Sequence, residues 1–427
     1  ARLNMFILYD LVFFIFILAY LPLYLLRGKF HRGFASRLGI LPADLNLARP
    51  IWVHAVSVGE AVSIKGLVTQ LRKTYPDKKL VISTVTATGN KIAQGLIGPG
   101  DLLLYLPLDL SFIVKHVLKK INPALFVIAE TEIWPNLITQ LDKQKIPIAI
   151  VNGRISDGSY SGYRAIKYII RPILRKVSIF LLQSDTDASR LESLGVAKEK
   201  IQVTGNLKFD INLNAGLELD ASAYRAKLML GPEDKLWVCG STHPGEEKIV
   251  FETYQKLLLI YPKLKLLLAP RHPERSREIA ALASKMKFMP IFVSSISGAC
   301  PTCINNPVFI LDTIGQLFNY YACADIVFIG GSLIKKGGHN ILEPASLKKP
   351  IIFGPHMFNF RDITDLFMKY KAGIMVNNAQ ELNLKVKELL ANDILANDFG
   401  QRAYELISRN CGATLKNIQA IKQLKLS

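Results

Sequence analysis

Cysteine is scarce in this chain and comes late. Its 427 residues hold only Cys239, Cys300, Cys303, Cys323 and Cys411. An odd, scattered set of this kind excludes a secreted disulfide framework and points to a reducing compartment. Cys300 and Cys303 have metal-ligand spacing, but no second CxxC and no histidine pair completes a four-ligand zinc site. Acidic residues are also in short supply, 34 against 53 lysines and arginines, for a net charge of +19. That surplus has to face something anionic: nucleic acid, an acidic bilayer or a phosphorylated substrate. No nucleic-acid recognition motif is present, which sets the first aside. Repeats and low-complexity tracts are missing, and an apolar share of 50% excludes disorder. The length exceeds what one core supports and predicts two domains of roughly 150–200 residues.

The longest apolar run lies at the start. From Met5 to Leu26 only Asp10 and Pro22 interrupt it, enough for a helix of roughly 33 Å. A signal peptide has a shorter apolar core and a small-residue cleavage site, so the run predicts an anchor helix. Arg27, Lys29, His31, Arg32 and Arg37 follow at once, with no acidic residue between Asp10 and Asp44. The positive-inside rule then puts the rest of the chain on the cytoplasmic side of its membrane. Arg27, Lys29, Arg32 and Arg37 are also placed to attract anionic lipid headgroups.

After Pro50 the pattern changes. Short apolar strands are predicted at 51–56, 80–84, 125–129, 146–151 and 179–183, with helical stretches at 61–73 and 90–96 among them. This is the βαβ rhythm of a parallel sheet covered by helices. It lapses near 210–220 and resumes with strands at 236–240, 264–269, 309–311, 326–329 and 350–353. The predicted architecture is α/β: an anchor over 1–30, then two Rossmann-like, doubly wound domains over 31–215 and 216–427. The last helix is free to pack back on the first of them. In such sheets ligands bind beyond the carboxyl ends of the strands, so the residues just after each strand are the candidates.

The first strand runs into HAVSVGE. Ser57 or Ser63 there can simply cap a helix, but Glu60 follows a glycine where a positive helix end would keep it ionised, as a general base requires. Glu130 and Glu132 follow the strand 125–129, where solvated loop residues are the plain alternative. In the second half GSTHPGEE (with Ser241 and Thr242) and PRHPER (with Arg271 and His272) put small or cationic groups where helices begin, which suits phosphate. No Gly-Lys-Ser/Thr follows, so this is not a Walker loop. In GGSLIKKGGHNILE, which includes Gly338, His339 and Asn340, the glycines let backbone approach a ligand. Glu343, expected one turn into the next helix, is placed to accept from ribose hydroxyls. Asp185 and Asp187 spell the DxD pattern of metal-dependent transferases, but after Ser184 they read as helix capping. No other cluster has metal-ligand spacing, and neither a metal nor another cofactor is expected.

Taken in order, WVHAVSVGE, ETEIWPN, GNLKFD, GSTHPGEE, RHPER, DTIGQL and GGHNILEPA closely resemble the Kdo transferase family of lipopolysaccharide biosynthesis, from the anchor to about residue 360. The resemblance implies a GT-B fold, with 3-deoxy-D-manno-oct-2-ulosonic acid (Kdo) passing from CMP-Kdo, held by the second domain, to a lipid A precursor (lipid IVA) on the first. It implies Glu60 as the base, Glu130 and Lys208 as stabilisers of the transition state, and inversion without a metal. It also implies that the membrane is the cell inner membrane. Nucleotide contacts fall on Arg271 and His272, on Ile314, Gly315 and Gln316, and on Asn340, Ile341, Leu342 and Glu343. Gly158 stands where the family pattern has arginine, Gln316 where glutamate is common and Ile341 where proline is.

Two other readings make different predictions. A GT-B enzyme using a UDP-sugar on an undecaprenyl-linked acceptor would share the charge, the anchor and the glycines. A two-lobed binding protein would keep its function in Glu60→Gln.

Overall fold

A computed structural model describes residues 8–15, 19, 33–42, 45, 47–210, 219–296 and 307–426. Arg27, Lys29, Arg32, Cys300, Cys303, the expected junction at 215 and most of the expected anchor lie outside them. Residues 8–15 are helical. Among the described residues no helix is long and apolar enough to cross a membrane.

The chain forms two compact units, one of residues 1–210 with 410–427, the other of 211–409. The first is built on a parallel sheet of β1 (Ile51–His54), β2 (Leu80–Thr84), β3 (Leu102–Tyr105), β4 (Leu125–Ala129), β5 (Ile148–Gly153), β6 (Ile179–Leu182) and β7 (Ile201–Val203). Their order is β3-β2-β1-β4-β5-β6-β7. The strand order therefore reverses between β1 and β4, the crevice where such sheets bind ligands. Helices cover both faces, so the central strands are continuous apolar runs: β1, β2, β4 and β5 are buried at every position. Trp52 meets Phe126 edge-on at 5.0 Å and donates its indole N–H to Ser83 Oγ at 2.8 Å. Each fully buried Leu or Ile contributes about 1.5–3 kcal/mol.

The last helix, Ala413–Lys422, belongs to this unit: Ala413, Ile418 and Ile421 share a core with Ile64, Leu67 and Leu71 of the 65–74 helix region. Its first turn is held by Asp210, which accepts from the N–H groups of Gly412 (2.6 Å), Ala413 (3.1 Å) and Thr414. At the other end of the chain, Tyr9 donates to Asp109 and Asp10 accepts from Asn136, so residues 8–15 are tied to the helix Pro135–Lys143.

The second unit repeats the scheme with β8 (Lys235–Thr242), β9 (Leu264–Pro270), β10 (Met289–Phe292), β11 (Pro307–Ile310), β12 (Ile326–Ile329), β13 (Ile351–Phe353) and β14 (Ile374–Met375). The order is β10-β11-β9-β8-β12-β13-β14, all parallel where paired, and the reversal falls between β8 and β12.

Candidate functional site

In the first unit the two strands that flank the reversal end in carboxylates. Ser57 caps the short helix Val58–Ser63 with an extended backbone, accepts from Glu60 N–H at 3.5 Å and donates to Glu60 Oε1 at 3.0 Å. Val56 N–H donates to Glu60 Oε2 at 2.7 Å. This is close to a capping box, so the capping role expected of Ser57 is real. It does not leave Glu60 an ordinary carboxylate. The side chain is only 8% exposed, and burial, with the charges of Glu130 and Glu132 added, raises its pKa from 4.5 to about 7. The hydrogen bonds from Val56 and Ser57 favour the ionised form, as expected of a helix end, but desolvation outweighs them and brings the pKa to about neutrality.

Glu130 is the first residue after β4. Its φ of 57° is left-handed, which is uncommon for a residue with a Cβ, and its N–H donates to Val151 O at 2.9 Å on the neighbouring strand. Glu132 is raised above the ordinary carboxylate range by burial and then by Glu130. Carboxylates that oppose one another's ionisation are close neighbours, so Glu60, Glu130 and Glu132 form one acidic group.

Lys208 reaches the same edge of the sheet by another route. Asn152, also left-handed with φ of 53°, accepts from Leu207 N–H at 3.0 Å, and its own carbonyl accepts from Gln183 at 3.0 Å. Gln183 in turn accepts from Asn206, whose side chain accepts from Lys208 N–H at 2.9 Å. This chain of amides fixes the backbone that carries Lys208 beyond the ends of β5 and β6. Asp187, one half of the apparent metal motif, is engaged elsewhere. Ser184 caps the helix Asp185–Ser193, and Asp187 accepts from Ser184 Oγ and, at 2.8 Å, from Ile155 N–H. Arg37 donates to Val85 O and lies over the Tyr105 ring at 5.5 Å, so this half-buried cation is engaged within the unit.

In the second unit the ends of β8 and β12 are drawn together by a residue whose role the sequence does not reveal. Glu246 is wholly buried and accepts from His243 N–H (3.1 Å), Gly331 N–H (2.6 Å), Ser332 N–H (3.0 Å) and Leu333 N–H (3.0 Å). Gly330 is indispensable beside it, because a Cβ would stand 2.5 Å from Ser241 O. Ser241 is left-handed (φ 58°), and Thr242 is buried with its hydroxyl unpartnered among the described residues. Arg271 N–H donates to Thr242 O at 3.0 Å, joining the loop after β9 to the loop after β8. His243, not singled out in the sequence, lies at the centre of this cluster: its ring is 6.1 Å from that of His272 and 5.2 Å from that of His339.

The structure therefore brings together Ser241, Thr242, Arg271, His272 and His339. Gly338 joins them through its N–H to Gly331 O at 2.8 Å. Asn340 donates to Glu343 Oε1 at 3.1 Å and accepts from Leu342 N–H at 3.0 Å. The helix begins at Leu342, so Glu343 sits in its first turn rather than one turn in, and burial raises its pKa. Ile341 and Leu342 are 0% and 2% exposed, which leaves only their backbone to meet a ligand. Ile314, Gly315 and Gln316 are on the loop after β11, the strand beside β9, whose own following loop carries Arg271 and His272, with Ile314 87% exposed.

Residues 32–211 match the family model described as 3-deoxy-D-manno-octulosonic-acid transferase (kdotransferase). The chain is 37% identical over 374 residues to the 3-deoxy-D-manno-octulosonic acid transferase of Haemophilus influenzae, covering 87% of this chain and 86% of that protein. It is 35% identical over 351 residues to the enzyme of the same name from Chlamydophila psittaci, covering 81% and 79%. Among solved structures, the UDP-GlcNAc 2-epimerase of Neisseria meningitidis superposes with a TM-score of 0.55 at 15% identity, over 88% of this chain and 100% of that one. At that identity the likeness shows the fold alone, a GT-B-like pair of parallel-sheet α/β domains.

Proposed function

The chain belongs to the 3-deoxy-D-manno-octulosonic acid transferase family, and from that premise we propose that it transfers Kdo from CMP-Kdo to a lipid A precursor, inverting the anomeric carbon without a metal ion. The observation that carries the mechanism is Glu60, a buried carboxylate at the strand-order reversal with a pKa of about 7. A base of that pKa is both free to accept a proton and strong enough to hold it at neutral pH. Glu60 takes the proton of the acceptor hydroxyl as its oxygen bonds to the anomeric carbon. The bond from that carbon to the phosphate oxygen breaks on the opposite side, and the electron pair leaves with CMP. Glu130 stabilises the developing oxocarbenium charge and Lys208 the departing phosphate, fixed groups of the kind that lower such barriers most.

The second unit holds the nucleotide, with Arg271, His272 and the backbone around Gly338 at its phosphate and Glu343 at its ribose. Metal independence is supported by Asp187, whose carboxylate is committed to Ile155 and Ser184. The enzyme works at the cytoplasmic face of the inner membrane, held by the apolar N-terminal run and by headgroup contacts of the Arg27, Lys29 and Arg32 cluster. Transfer by the purified chain in detergent, with CMP-Kdo and a tetraacylated lipid A precursor, with and without EDTA, is read by mass spectrometry of the lipid. A gain of one or more Kdo units despite EDTA is the expected result. No gain in folded protein, with transfer from a UDP-sugar to an undecaprenyl-linked acceptor instead, overturns it.

A further inference from the structure

Two histidines in the second unit meet in a way that restricts how many protons they can carry. His243 follows β8 and His339 follows the glycine run after β12, and Glu246 fixes both loops through their backbone. Their Nε2 atoms are 2.9 Å apart. The rings are inclined by only 6° with centroids 5.2 Å apart, which is the nitrogen gap plus one ring radius from each side. The imidazoles are therefore coplanar and meet head on, rather than face to face. A contact of this length needs one hydrogen between the two nitrogens.

The proton count follows from that geometry. With both rings neutral, one donates from Nε2 and the other accepts. One added proton goes to Nδ1 of the donating ring and leaves the N–H···N bond intact. A second would put hydrogens on both facing nitrogens and break it. The pair titrates as a unit with room for one proton.

Its surroundings disfavour that added proton. Burial, His243, Arg271 and His272 lower His339 to about 4, while burial and then His272, Lys336, Arg275 and Arg271 lower His243. The nearby carboxylates are already engaged: Glu246 by backbone N–H groups, Glu247 and Glu278 by Arg275, and Glu274 beside His272 at 3.5 Å. Gly331 leaves the approach open, since a Cβ there would lie 3.1 Å from the His339 ring and 3.3 Å from that of His243.

We propose that His243 and His339 form a one-proton dyad that becomes cationic when a phosphoryl group binds beside it and keeps that proton while the nucleotide departs. The proposal rests on the reading of this unit as the CMP-binding unit. When the bond to the sugar breaks, the phosphate gains a second negative charge, and a cation already in place offsets it without donating a proton. The dyad thus supplies charge only when the site is filled, whereas Arg271 supplies it always.

The test is calorimetric titration of the full chain with CMP at pH 7.5 in buffers of different ionisation enthalpy, for the wild type, His243→Asn and His339→Asn. Between half and one proton is expected to be taken up per CMP by the wild type, and almost none by either variant. Over pH 7 to 8.5 the wild-type CMP affinity should fall by up to tenfold per pH unit, a measurement that stands even if a variant fails to fold. CMP binding with no proton uptake, or with uptake unchanged in folded variants, overturns the dyad and leaves the donor reading intact. Failure of the wild type to bind CMP overturns the donor reading, and the dyad with it.

Discussion

Replacing Glu60 by Gln should disable the protein and stabilise it at once, by an amount that depends on pH. Glutamine keeps the shape and the local bonds: Oε1 can accept from Val56 N–H, and Nε2 can donate to Ser57 Oγ. What disappears is the cost of holding a carboxylate that the fold prefers protonated. A folded-state pKa of about 7 against 4.5 corresponds to roughly 3 kcal/mol at about 1.4 kcal/mol per unit. Because the folded pKa is the higher one, this cost is absent below pH 4.5, grows as pH rises, and is complete above about 7. Relative to the wild type, the variant should gain under about 1 kcal/mol at pH 5 and about 2–3 kcal/mol at pH 8.5. That is roughly 2–4 °C of Tm for each kcal/mol in a unit of this size. Thermal melts of both proteins at the two pH values measure the gain, and a transfer assay measures the loss, expected at 10²-fold or more for removal of a general base. A melting difference that is the same at pH 5 and pH 8.5 would refute the assigned protonation behaviour, whatever the activity does.

Asp210→Ala removes the acceptor for three N–H groups of the last helix and should cost about 1–2 kcal/mol, seen as a lower urea midpoint; an unchanged midpoint would show that the cap is idle. Gly330→Ala sets a methyl group against the Ser241 carbonyl and Thr242 Cα and should weaken CMP binding at least tenfold in a direct titration. Gly158→Ala, where a Cβ has nothing within 4 Å, is the matched control; equal affinities in the two variants would count against the loop geometry.

The central strands are legible in the sequence because they are covered on both faces, and IWVH, LFVIA and LWVCG are simply apolar. Most strands at the margins are not. β7 is three residues, Ile-Gln-Val, and β14 only two, too short to stand out as runs, while β10, Met-Pro-Ile-Phe, is apolar but carries a proline that argues against a strand. β3, Leu-Leu-Leu-Tyr, is apolar in the sequence and as legible as the central strands, although it is not among the strands predicted; it is half-exposed except at Leu104. The position of Glu60 is equally legible, since it follows the first strand, but its protonation is not. That depends on Glu130 and Glu132, some seventy residues away in the chain, and on burial that only the packed unit creates. His243 had one local signal, a histidine between a strand end and a Pro-Gly turn. Its significance comes from His339, which sequence spacing does not place beside it.

The return of the chain to its first unit has a consequence for synthesis. A ribosome adding about 5–20 residues per second takes roughly 10–40 s to go from Asp210 to Lys422. Throughout that interval Ile64, Leu67 and Leu71 lack the helix that covers them, leaving a nascent sheet with an apolar strip open to solvent and to whatever holdase is at hand. The second unit, whose residues are contiguous, can close within the same interval. The portion translated first is therefore the portion finished last, and a chain terminated after residue 409 would carry every residue of the second unit but an uncapped first one.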